Sequence, residues 1–286
     1  MLKRKKARPD KRHIRASILS APHQDRKVYS VSSSITHAHA GTLIASYNVH
    51  KCVGVDQRFD PERIAAVIEE IGADVIALQE AAQRFGERNA LLDFAQLERR
   101  HGLVSVRFPD NNGRQCWHGN VLLFRAAVVR DVHPLRLPGV EPRGALVVDM
   151  DLDVGPLRVV AAHLGLLRSS RARQAEAILT TVCARSERPT LLLGDLNEWR
   201  LSVRSSLHTF GPHFGPLGAD LPTFPSRFPL FALDRILGNP QSLILGIEVH
   251  DTALSRVASD HLPIKARINV AGAASNFEAE RGRMAA

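Results

Sequence analysis

Residues Leu43 to Glu80 read LIASYNVHKCVGVDQRFDPERIAAVIEEIGADVIALQE, a strand, a helix and a second strand in succession. Leu43 to Tyr47 is a short apolar run of the kind that forms a buried strand. Asp60-Pro61 then offers an N-cap followed by proline at the first helical position, where the missing N–H costs nothing. Ile64, Val67, Ile68 and Ile71 fall at i, i+3, i+4 and i+7, one face of a helix that Gly72 ends. Asp74 to Gln79 is the second strand. The first strand runs into Asn48 and the second into Glu80, so each hands a polar side chain to its C-terminal end.

The same alternation continues down the chain. Gly119 to Phe124, Ala145 to Leu152, Leu157 to Ala162, Thr190 to Gly194, Leu233 to Leu237, Leu243 to Val249 and Pro263 to Ile268 read as further strands. Ser169 or Ser170 would cap a helix whose apolar face is Ala175, Ile178, Leu179 and Val182. Strands outnumber helices, and no glycine-rich dinucleotide or Walker loop follows the first strand. The pattern therefore predicts two sheets with helices outside, not a Rossmann domain.

Charge is distributed unevenly. Residues 1–30 hold ten Lys and Arg against Asp10 and Asp25, a net +8 of the chain's +9, which leaves +1 for everything after them. The high pI of about 10.1 thus describes a tail, and gives the folded part little of the basic face that duplex DNA requires. Residues 1–40, rich in charge, Ser and His, read as a disordered basic arm able to contact polyanions. One domain is expected over 41–271 and a flexible tail over 272–286. With 44% hydrophobic and 23% charged residues, that domain can bury a sizeable core. Cys52, Cys116 and Cys183 are odd in number and lack C-x-x-C spacing, so neither a disulfide framework nor a zinc site is suggested. No apolar leader or membrane-length run is present, and the expectation is a cytoplasmic protein with no obligate protein partner.

The chemistry lies at the strand ends. Val159 to Ala162 runs into His163, and Leu191 to Gly194 runs into Asp195 with Asn197 two residues on. Two late segments, Leu233-Asp234-Arg235 and Ser259-Asp260-His261, add further polar groups. If these ends share one edge of a sandwich, the groups converge there. Hard cations such as Mg²⁺ take oxygen ligands, commonly one or two carboxylates plus a substrate phosphate, and Glu80 and Asp260 meet that need. Asp195, Asn197 and the two histidines supply a base or orienting group for water, and donors for the charge of a phosphoryl transition state.

With Ser46-Tyr47-Asn48, Leu78-Gln79-Glu80, His118-Gly119-Asn120, Ala162-His163-Leu164, Gly194-Asp195-Leu196-Asn197, Leu233-Asp234-Arg235-Ile236 and Ser259-Asp260-His261 in order, the chain resembles the endonuclease/exonuclease/phosphatase superfamily of DNase I-like phosphoesterases. The resemblance spans roughly residues 41–270. It implies a four-layer α/β sandwich, with two mixed β-sheets packed face to face and helices outside. It also implies a Mg²⁺- or Mn²⁺-dependent phosphodiesterase whose substrate is nucleic acid or a lipid or small headgroup phosphodiester. Glu80 would be the main metal ligand, with Asn48 and Asp260 beside it, and Asp195 would orient or deprotonate water. Asn197 would hold the phosphate, and His261, its tautomer fixed by Asp234, would donate to phosphoryl oxygens. His163 would bind phosphate or protonate the leaving group, and Asn120 would bond the phosphate or a neighbour in the site. The chain departs from some nuclease branches in carrying His50 where they have an acid two residues after the first asparagine.

Each residue also has a plainer reading. Asn48 alone would cap a strand turn, His163 alone would be a satisfied core histidine, and Asp195 with Asn197 would form an Asx-turn. Trp117 and Trp199 read as packing or rim aromatics, and the arginines Arg143, Arg168, Arg171 and Arg173 as a solvated face. A non-catalytic binding protein on the same fold, tethered by the basic arm, is the rival from another class. It would be favoured had Glu80, Asp195 or His261 been replaced, and all three are present.

Overall fold

Every strand expected from the sequence forms, and alternate residues along the central strands face two different cores. The computed structural model describes residues 41–82, 91–108, 115–200, 204–217 and 220–274, so the expected arm over 1–40 lies outside them. In chain order the elements begin with β1 (Thr42–Asn48), α1 (Pro61–Ile71), β2 (Val75–Gln79), α2 (Phe94–His101), β3 (Val104–Ser105) and β4 (Val121–Phe124). They continue with β5 (Val128–Arg136), β6 (Gly144–Leu152), β7 (Gly155–His163), α3 (Arg168–Cys183) and β8 (Thr190–Asp195). The last strands are β9 (Asp234–Asn239), β10 (Ile244–Val249) and β11 (Ile264–Ile268).

Two mixed sheets result, one ordered β10-β11-β1-β2-β4-β3 and the other β5-β6-β7-β8-β9. Ile44, Val75, Ala77 and Leu122 of the first sheet meet Leu146, Val148, Val159, Leu191 and Ile236 of the second in a shared core. Ala45, Tyr47, Ile76 and Leu78 point the other way, against Ile64, Val67, Ile68 and Ile71 of α1 and Phe94 and Leu97 of α2. On the far side, Val147, Val160 and Leu192 pack on Ala175, Ile178 and Val182 of α3. The central strands are thus apolar on both faces because both faces are covered, and the molecule is a four-layer α/β sandwich.

Local chemistry fixes the first crossover. The Asp60 carboxylate accepts from the Arg63 amide, Pro61 opens α1, and Gly72 closes it in the left-handed region at φ +63°. The α3 start differs from expectation. Its N-cap is Leu167 with no side-chain bond, and Ser170 lies buried inside the first turn. Of the tail expected over 272–286, only residues 272–274 are described, and Ala273 packs into the inter-sheet core. Among the described residues no helix is long and apolar enough to cross a membrane.

Candidate active site

Strand direction brings the polar ends together. β1 and β2 run parallel, placing Asn48 opposite Gln79 with Glu80 just beyond, and β7 and β8 run parallel with His163 opposite Asp195. β9 is antiparallel to β8, so its first residue, Asp234, arrives opposite Asp195. His163, Asp195 and Asp234 therefore stand side by side across three strands of one sheet. Close packing at this edge requires glycine at position 194, where φ is +146° and a Cβ would lie 1.8 Å from the Ala162 carbonyl oxygen.

Asp195 is the hub. Its Oδ2 accepts from Asn48 Nδ2 at 3.0 Å and lies 3.3 Å from His163 Nε2 and 3.9 Å from His261 Nε2. Its Oδ1 accepts from the Asn197 backbone amide at 3.0 Å. His261 Nδ1 sits 2.8 Å from Asp234 Oδ2, which also accepts from Thr223 Oγ1 at 2.6 Å. Asn48 thus crosses from one sheet to the other. All of these side chains are buried or nearly so, with Asp195 and His163 each 2% exposed.

Burial sets the protonation states. It pushes the Asp195 carboxyl above the ordinary range, an effect that the nearby His261 opposes. Burial alone would lower His261, but Asp234 through charge and hydrogen bond, with Asp195 and Asp260, raises it to about 10. His163 goes the other way, well below the ordinary value, because of burial first and then the charges of Arg143, His261 and Lys51. The edge therefore holds an imidazolium and a neutral imidazole within reach of one carboxylate.

A cavity of about 630 Å³ opens over this edge and is lined by Asn48, Glu80, His163, Asp195, Asn197, Asp260 and His261. Two expected residues do not line it. Asp234 lies behind His261, and Asn120 donates its amide to the Trp117 and Gly144 carbonyls at 3.1 and 3.0 Å. The Asn197 amide is likewise engaged, with the Leu164 carbonyl at 2.9 Å.

The lining also includes Lys51, His118, Glu141, Phe224 and Arg143. None of the first four was expected in the site by itself, although His118 opens the His118-Gly119-Asn120 motif, and Arg143 was expected on a solvated face. Lys51 Nζ meets Glu80 Oε2 at 2.6 Å, from a turn in which His50, Lys51 and Cys52 all have positive φ. Arg143 Nη1 lies 2.9 Å from His163 Nδ1, and its Nε is held by Glu141 at 3.0 Å. A lysine beside His50 right after the first strand end was the available signal. Arg171 is also no surface group, being buried with its Nη2 on Glu198 at 2.9 Å. His50 donates from Nδ1 to the Val53 carbonyl at 2.9 Å and lies 3.7 Å from Asp260.

The donor set around Glu80 suits a hard cation. Glu80 and Asp260 would contribute carboxylates and Asn48 an amide oxygen, which also accepts from the His50 amide at 3.0 Å, and no thiol lines the cavity. Among the described residues no three His, Cys, Asp or Glu form a ready cage. Glu80 itself is held at φ +56°, a strained backbone for a residue with a side chain.

A family model described as Endonuclease/Exonuclease/phosphatase family matches residues 45–261, from the middle of β1 to His261. The chain belongs to this family. Members of the endonuclease/exonuclease/phosphatase family are phosphoesterases, and the order of the strand-end residues is what the match covers. The chain is 26% identical over 255 residues to the uncharacterized protein YbhP of Escherichia coli K12, covering 79% of this chain and 96% of that one. A family member of known structure from Beutenbergia cavernae superposes with a TM-score of 0.61 at 24% identity, covering 80% of this chain and 72% of the other. D. rerio TDP2, solved with a single-strand DNA product, superposes with a TM-score of 0.58 at 16% identity, covering 80% and 98%. At these identities the structural likenesses speak for the fold.

Proposed function

We propose that the chain is a divalent-metal-dependent phosphodiesterase that acts by in-line attack of water. The observation that carries this reading is a buried carboxylate, Asp195, suspended between Asn48, His163 and His261 on the cavity floor. Glu80 and Asp260, with the Asn48 amide oxygen, would hold Mg²⁺ or Mn²⁺, which supplies positive charge against the negative charge that develops on the phosphoryl oxygens. Asp195, raised by burial, is a better proton acceptor than a solvated aspartate, and it takes the proton of the attacking water. His261, kept protonated by Asp234, donates from Nε2 to a phosphoryl oxygen. His163, kept neutral, lies between Asp195, 3.3 Å from its Nε2, and Arg143, whose Nη1 is 2.7 Å from Nε2 and 2.9 Å from Nδ1, and so holds the base in place instead of giving up a proton. Asn197 orders the turn after Asp195, and Asn120 ties Trp117 to Gly144 beneath the cavity rim.

The test uses the purified full chain and bis(4-nitrophenyl) phosphate, a soluble diester. Turnover should stop in excess chelator and return with Mg²⁺ or Mn²⁺. Glu80→Gln should raise the metal concentration needed by about tenfold or more. Turnover that survives chelation, or that zinc alone restores, would contradict the oxygen-ligand site.

A further inference from the structure

Large apolar side chains collect at the mouth of the cavity. Leu166, Leu167, Trp199, Phe228, Leu230 and Phe231 are 65, 50, 46, 76, 70 and 36% exposed, six of the eleven exposed large hydrophobics among the described residues. They come from three segments joined by contact. Trp199 packs on Phe231 with ring centroids 5.3 Å apart, and Arg171 bonds both the Leu166 carbonyl and the Glu198 carboxylate. Leu166 itself lines the cavity.

The most exposed pair rides on a firmly held hairpin. Phe224 and Phe231 exchange backbone hydrogen bonds at 3.1 and 2.8 Å. Ser226 donates from its amide to the Asp260 carbonyl at 2.7 Å and from its hydroxyl to the Ser259 carbonyl at 2.6 Å. Phe224, at the hairpin's base, stands 4.9 Å from His261, centroid to centroid. The hairpin that exposes Phe228 and Leu230 is therefore tied to the segment that carries Asp260 and His261. An apolar patch fixed beside a site calls for something to cover it.

We infer that this rim docks on an anionic lipid bilayer and that the phosphoester the site meets is carried by a membrane lipid, an inference that rests on the phosphoester reading of the cavity. Charge and shape favour this occupant. Arg168, Arg200 and Arg227 are exposed in the same three segments, whose one acid, Glu198, is buried. Aliphatic and aromatic tips within a cationic collar suit the bilayer interface. Nucleobases need open aromatic faces, whereas Trp199 already has the Arg200 guanidinium 4.4 Å over its ring and Phe231 against it, and three of the six side chains are leucines.

The experiment compares the full chain with the double variant Phe228→Ser/Leu230→Ser on vesicles of mixed phosphatidylcholine and phosphatidylglycerol. High salt suppresses any contribution from the basic arm. Vesicle partitioning should fall by about tenfold or more on losing two large apolar side chains, while turnover of bis(4-nitrophenyl) phosphate stays unchanged. Equal partitioning of the two proteins would overturn the inference. So would a variant that loses affinity for a single-stranded oligonucleotide instead, or a parent that is dimeric in solution and becomes monomeric on substitution. Absence of soluble-diester turnover in both proteins would count against the phosphoester reading alone, since partitioning is read without it.

Discussion

Strand β7 buries two basic side chains five residues apart and treats them in opposite ways. Arg158, 1% exposed, donates Nε and Nη2 to the two oxygens of Asp149, its register partner on β6, at 2.6 and 2.9 Å. This is a closed fork at short range, with Arg188 Nε a further 3.8 Å from Asp149 Oδ2. His163, at the strand's end, shares one oxygen of Asp195 with Asn48 and His261 at distances from 3.0 to 3.9 Å, and stays neutral. The first arrangement locks two strands together. The second leaves a buried carboxylate facing a cavity, and burial, with the Asp234 charge beside it, raises its proton affinity.

Substitutions at the two places should fail in different ways. His261→Gln removes the imidazolium beside Asp195, and diester turnover of the protein that remains folded should fall by about 10²- to 10⁴-fold, although losing the buried pair with Asp234 lowers the melting temperature as well. An activity loss no larger than the loss of folded protein would erase the distinction. Arg158→Met removes the fork from the buried Asp149 carboxylate, leaving it only the more distant Arg188, and should cost about 3 kcal/mol in denaturant unfolding, while the protein that remains folded turns over diester at the parental rate. A smaller effect comes from Glu198, a third buried acid and structural like Asp149. Burial would raise it, but Arg171, the Arg200 amide and Ser206 outweigh burial and hold it below the ordinary range. Its contribution is then present above the unfolded value of about 4.3 and is lost as pH falls through the lower folded value. Glu198→Gln should therefore flatten the acid limb of the stability-versus-pH curve and leave neutral-pH turnover intact.

How much of this was legible in the sequence follows from the same contrast. Asn48, Glu80, His163 and Asp195 were readable because each ends a continuous apolar strand, and a polar group in that place needs a reason. α1 was readable from its proline, its spacing and Gly72. β5 was missed because it is an edge strand, half exposed and with Pro134 inside it, so neither alternation nor a buried run marks it. α2 was missed because only Phe94 and Leu97 are buried in a short, charged helix. Lys51 and Arg143 reach the cavity from turns, where no periodicity tells which way a side chain points. The ion pairs of Arg158 and Arg171 depend on partners 9 and 27 residues away, and their types alone look like surface residues.

The central claim is that Asp195 is buried for chemistry and not for stability. Its most direct test is Asp195→Asn, with diester turnover and melting temperature measured on the same preparation. Turnover should fall by about 10²- to 10⁴-fold while the melting temperature moves by no more than about 4 °C, about 1–2 kcal/mol for a domain of this size. Parental turnover in a folded Asp195→Asn protein would contradict it.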